Sequence, residues 1–209
     1  MTAMIHFGTL AAFILNAVPA DVRPITQADV VIAVYAQDWG LASEGMPKLI
    51  LTAWPDGHVV WSENRVKGGA PYLTGQVSPA RVSAVLEQVE RDGVFRDKRL
   101  AQPCFGPDSS FTTILFRKAP RELKMESWHD LAEVDGHVIA RSCALTPLGR
   151  NERRLELLKK EPAEYLYYRV VWGELRALAS SLIPSVNRPA TGELVMKAGV
   201  MAWRERPAR

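Results

Sequence analysis

Cys104, Asp108, His129 and Asp130 are the residues whose types could do covalent chemistry. A thiol beside an imidazole that a carboxylate orients is an activated nucleophile, the arrangement of many hydrolases. The local context argues against it. Cys104 sits between Pro103 and Phe105, without the strand-to-helix elbow of a buried nucleophile, and no GxSxG, HExxH or SxxK motif is present. A hydrolase-type enzyme using the region of Cys104 and His129 is therefore the alternative expectation, and no catalytic residue is assigned. His129, Asp130, Asp135 and His137 form a His/Asp cluster. Imidazole and carboxylate are ordinary zinc or manganese ligands, but this spacing matches no metal pattern and reads as polar loop. No cofactor is expected either, since Gly68-Gly69 lacks the Lys-Ser/Thr that completes a phosphate loop.

Binding residues are sought among aromatics and cations. The ligand-binding candidates are Trp39, Trp54, Trp61 and Trp128, with Arg65 and Lys67 of the 64–70 loop. Exposed tryptophans would suit a glycan or an envelope protein, whereas buried ones simply pack the core. Arg150, Arg153, Arg154, Lys159 and Lys160 are interspersed with Glu152, Glu156 and Glu161, which reads as a solvated helix face. A net charge of +3 gives no ground for a nucleic-acid partner.

Compartment is read from the N-terminus. Residues 1–20 hold no Asp, Glu, Lys or Arg, and Phe7 to Val18 is a mostly apolar run. Val18 and Ala20 then stand at the −3 and −1 positions of a signal-peptidase site, and charge begins with Asp21. No basic residue precedes the run, which is where it departs from the usual leader. Removal of residues 1–20 would leave a periplasmic or secreted domain, 21–209, with no membrane span; retention would leave it cytoplasmic. In an oxidising compartment Cys104 and Cys143 are candidates for a disulfide, closing about 40 residues and contributing about 3–4 kcal/mol.

The elements that must position these residues are clearest between Leu49 and Phe95. Lys48 to Trp54 reads as a strand, Pro55-Asp56-Gly57 as a turn and His58 to Ser62 as the returning strand. Trp54 and Trp61 are placed as neighbours across that hairpin. Tyr72 to Val77 is expected as a short edge strand. Ser78 is an N-cap with Pro79 at the first helical position, and Val82, Val85, Leu86 and Val89 make one apolar stripe ending near Gly93. Strands are also expected at Val30 to Tyr35, Phe111 to Arg117 and Arg121 to Trp128. Helices are expected over 151–160 and 162–183, and one or two strands in the tail.

This order of signals resembles an uncharacterised family of small secreted bacterial domains, a domain of unknown function. The positions that carry it are Leu49–Trp54, Asp56-Gly57, Val59–Trp61, Gly75, Ser78–Val89, Phe95, Phe111–Leu115, Arg121–Met125 and Tyr168–Leu182. The chain departs from the family pattern at Gly45-Met46-Pro47, where a Cys-Pro feature is usual, and residues 129–165 read as an insertion. The resemblance implies an envelope location and brings no functional residues. The fold class expected is α+β, an antiparallel sheet of five or six strands with two main helices packed on one face. The function expected is a non-catalytic exported envelope protein with a binding or interaction role.

Overall fold

The computed structural model describes residues 30–37, 47–101, 111–128, 137–139, 145–147, 163–197 and 200–205. Its centre is one antiparallel sheet. Six strands are those expected: β1 (Ile32–Gln37), β2 (Lys48–Ala53), β3 (His58–Ser62), β4 (Tyr72–Gln76), β5 (Phe111–Lys118) and β6 (Arg121–Trp128). Residues 137–139 and 145–147 add a separate two-stranded pair, β7 (His137–Ile139) and β8 (Leu145–Pro147). The seventh strand of the main sheet is β9 (Arg188–Pro189), giving the order β6-β5-β1-β2-β3-β4-β9. Two residues ending in proline carry no alternation to read, so β9 is invisible in the sequence. Its presence also corrects the place of β4, which is flanked by β9 at Leu73 and Thr74 rather than forming the edge.

The period of two along each strand sorts side chains onto two faces. Ile32, Val34, Leu51, Ala53, Val59, Trp61, Ile114, Phe116, Leu123 and Met125 form the front core. Helix α1 (Pro79–Arg91) adds Val82, Val85, Leu86 and Val89, and helix α2 (Ala163–Ser181) adds Tyr168, Val171, Trp172, Leu175 and Ala179 to that same core. Both helices therefore lie on one face, as the apolar stripes required. Ser78 caps α1, its Oγ accepting from Arg81 N–H at 3.3 Å, and left-handed Gly93 follows the last turn. Glu90 on α1 forms ion pairs with Lys118 and Arg121, which bracket the β5–β6 turn.

The back face holds Ala33, Tyr35, Leu49, Trp54, Val60 and Leu115, and Trp203 joins them. Trp203 comes from a hairpin of β10 (Gly192–Lys197) and β11 (Val200–Glu205), the two tail strands anticipated above. Trp203 meets Tyr72 edge-on, with ring centroids 4.9 Å apart. The back of β6 is polar, where exposed Glu122 and Lys124 alternate with Leu123 and Met125 of the front core.

Candidate functional site

Five of the six ligand-binding candidates are described, as is His137 at the start of β7, and the sheet separates the two hairpin tryptophans rather than gathering them. Trp54 and Trp61 are 2% and 3% exposed, so neither offers a ring face to a ligand. They are not cross-strand neighbours either. Trp61 stands opposite Leu51 in the front core, while Trp54 lies in the back core, its N–H bonded to His58 O. The turn length sets this parity. Gly57 N–H donates to Trp54 O at 3.0 Å and Trp54 N–H to His58 O at 3.0 Å, a tight turn closed by a left-handed glycine. Arg65 and Lys67 are exposed in the β3–β4 loop, at the opposite end of β3 from His58. Asn64 organises that loop, its Oδ1 accepting from Lys67 N–H at 2.9 Å. Trp128 ends β6. Trp39, Cys104, Asp108, His129, Asp130, Asp135, Cys143 and the helix expected over 151–160 lie outside the described residues.

Among the described residues a polar groove lies at the β3–β4–β9 edge of the sheet. It is a groove of about 330 Å³ with His58, Thr74 and Gln76 on one side and Asn187 and Arg188 on the other. Strand pairing builds it: His58 faces Gln76, and Thr74 faces Arg188. Val60 and Thr74 are paired as well, which puts Thr74 at the rim of the back core. Gly75 lets the other wall come close. A Cβ there would stand 2.5 Å from Pro184 Cγ and 2.8 Å from Val186 O, so the segment leaving α2 rests on bare backbone.

The chemistry of the groove turns on two hydrogen bonds. Thr74, 3% exposed, donates its single hydroxyl hydrogen to Val59 O at 3.1 Å. Its oxygen is 2.6 Å from His58 Nε2, and with the hydroxyl hydrogen on Val59 O that contact calls for the Nε2–H tautomer of His58, with Thr74 accepting. A nucleophile and its base need the opposite polarity, with the hydroxyl donating to the ring nitrogen. The imidazole is also held in plane, stacked on Trp54 with centroids 4.7 Å apart and 19° between planes. Gln76 gives an amide hydrogen to Asp56 O at 2.6 Å, and Asp56 Oδ1 takes the His58 backbone N–H at 3.0 Å. Arg188 is exposed and makes no ion pair among the described residues.

Other polar clusters are structural. Hydrogen bonds from Arg99 hold the Asp97 carboxyl well below the usual carboxylate range, and the Arg99 guanidinium lies 4.2 Å from the ring centre of Tyr167 on α2. Burial pushes the Tyr72 phenol up, against a hydrogen bond to the Leu49 backbone. A second groove, about 440 Å³, runs between α1 and α2 and is lined by Val89, Leu175 and Leu178 with Asp92 and Glu174. Among the described residues no group of three or more His, Cys, Asp or Glu side chains could hold a metal ion. Nor is any described helix long and apolar enough to cross a membrane.

The sequence carried one signal for the edge groove, Thr74-Gly75-Gln76 opposite the Asp56-Gly57 turn. Its other wall, at 184–188, is some 110 residues further along the chain, and nothing local marks the pairing. No family model, no curated protein and no solved structure matches the chain.

Proposed function

We propose that this chain is an exported, non-catalytic domain of the bacterial envelope that binds a glycan in the groove at the β3–β4–β9 edge. The observation that carries the reading is the position of the Thr74 hydroxyl, within hydrogen-bond reach of both Val59 O at 3.1 Å and His58 Nε2 at 2.6 Å. With the Thr74 hydroxyl given to Val59 O, the 2.6 Å contact calls for the Nε2–H tautomer of His58, and a pair so arranged holds a surface and does not start a proton transfer. The groove offers a ligand the polar side chains of Gln76, Asn187 and Arg188 in about 330 Å³. The nitrogen spectrum of His58 tests this directly, with Nε2 expected to carry the proton.

Export is supported by the apolar run and the Val18/Ala20 pattern within residues 1–20, and by the envelope location implied by the resemblance, which covers roughly residues 28–128 and the last helix. The expected mature chain begins at Asp21. Intact-mass measurement of the protein secreted by an export-competent bacterial host checks it; a chain still beginning at Met1 contradicts export and leaves the groove untouched.

A further inference from the structure

We infer that the sugar recognised in the edge groove carries an oxyanion, a carboxylate or a phosphate, and that Arg188 is the residue that selects it. This rests on the groove being a binding site and adds the charge of the ligand. Its lining contains one permanent cation, Arg188, and no Asp or Glu among the described residues. Arg188 is exposed and has no carboxylate partner among the described residues. Arg99 and Arg204 in this same chain are paired with Asp97 and Glu193, whereas Arg188 stands in the groove with its charge uncompensated among the described residues. The nearby turn acid, Asp56, is turned to the His58 backbone N–H, 3.0 Å from its Oδ1.

The guanidinium starts from a fixed backbone. Arg188 is one of the two residues of β9, registered against Thr74, and Ala190 N–H donates to Tyr72 O at 2.8 Å just beyond it. The planar fork of an anchored Arg suits two oxygens of a carboxylate or phosphate. Asn187, next to it on the same wall, adds an amide donor. On the opposite wall the Nε2–H of His58 is already given to Thr74, which leaves the anion to the Asn187–Arg188 side. The groove between α1 and α2 has the contrary character, since Asp92 and Glu174 line it and would repel the same ligand.

The test is a titration of the full chain, followed by amide proton–nitrogen correlation spectra at constant ionic strength, with three probes. Glucuronate supplies a carboxylate, glucose 1-phosphate a phosphate, and methyl glucoside neither. Shifts at Thr74, Gly75, Gln76, Asn187 and Arg188 that saturate with glucuronate or glucose 1-phosphate are expected, and the probe that binds identifies the anion. Arg188→Gln should weaken that binding at least tenfold, Arg188→Lys should retain part of it, and Arg91→Gln, a neutralised cation on α1, should change nothing. Because Arg188 is exposed, the variants are expected to unfold at the wild-type denaturant midpoint. Equal binding by methyl glucoside, or undiminished binding by folded Arg188→Gln, overturns the anion and leaves the glycan reading standing. Absence of groove shifts with all three probes overturns both.

Discussion

Gly57→Ala should unfold at a markedly lower urea concentration than the wild type, with a loss of about 3–4 kcal/mol. Gly57 has φ +88°, in the left-handed region that an alanine occupies only at a penalty of about 1 kcal/mol. The larger part is steric. A Cβ on Gly57 would stand 2.0 Å from Val77 O and 2.9 Å from Val77 C, and both are backbone atoms that no rotamer change can move. The same residue joins two elements, because Val77 N–H donates to Gly57 O at 2.9 Å immediately before the Ser78 cap of α1. Displacing it disturbs the β2–β3 turn and the start of the helix together. Gly93→Ala is the matched control: φ is +74° but no atom lies within 4 Å of the added Cβ. Only the conformational penalty of about 1 kcal/mol is expected there. Equal losses at the two sites would show that the Gly57–Val77 contact does not matter.

Trp203→Ala should be the second severe change, about 3 kcal/mol by the same measurement. Trp203 is 2% exposed and is the hairpin's fully buried contribution to the back core. Truncating it removes the edge-on contact with Tyr72 and leaves a cavity over Leu49 and Val60. The loss falls at the low end of the range for tryptophan because Nε1 of Trp203 is buried without a hydrogen-bond partner among the described residues. Removing that unpaired donor recovers part of what the ring loses. Trp203→Phe, which keeps a ring and deletes the N–H, should therefore be close to neutral. A Phe variant as damaged as the Ala variant would mean that the indole N–H is satisfied in solution.

Structure that depends on neighbours in sequence was legible, and structure that depends on distant pairing was not. The Ser78-Pro79 cap, the Val82–Val89 stripe and the alternation of Leu123 and Met125 are local patterns, and each forms the element expected of it. The two faces of the β2–β3 hairpin were misjudged because one residue of turn length decides parity. With the bonds closing at Trp54 and His58, Trp54 falls on the back face and Trp61 on the front. A bulge at Val34/Tyr35 adds to this, since Leu49 pairs with Tyr35 and Leu51 with Val34 while Ile50 is passed over. The groove was hidden for a different reason. Tryptophans attract notice as binding residues, but at Trp54 and Trp61 burying the large apolar area won, and the polar rim fell to His58, Thr74 and Arg188, which are unremarkable in isolation.

The measurement closest to the central claim is a long-range proton–nitrogen spectrum of His58 in the uniformly labelled protein, taken above the pH at which imidazole is charged. A groove built to hold a ligand has the ring as the Nε2–H tautomer, donating to Thr74 across 2.6 Å while the Thr74 hydroxyl serves Val59 O. The expected spectrum shows Nε2 as the protonated nitrogen and Nδ1 as the bare one, and Thr74→Val should shift the Nε2 resonance. A ring protonated at Nδ1, with Nε2 accepting from the Thr74 hydroxyl, would contradict the account and make the pair a base and its nucleophile.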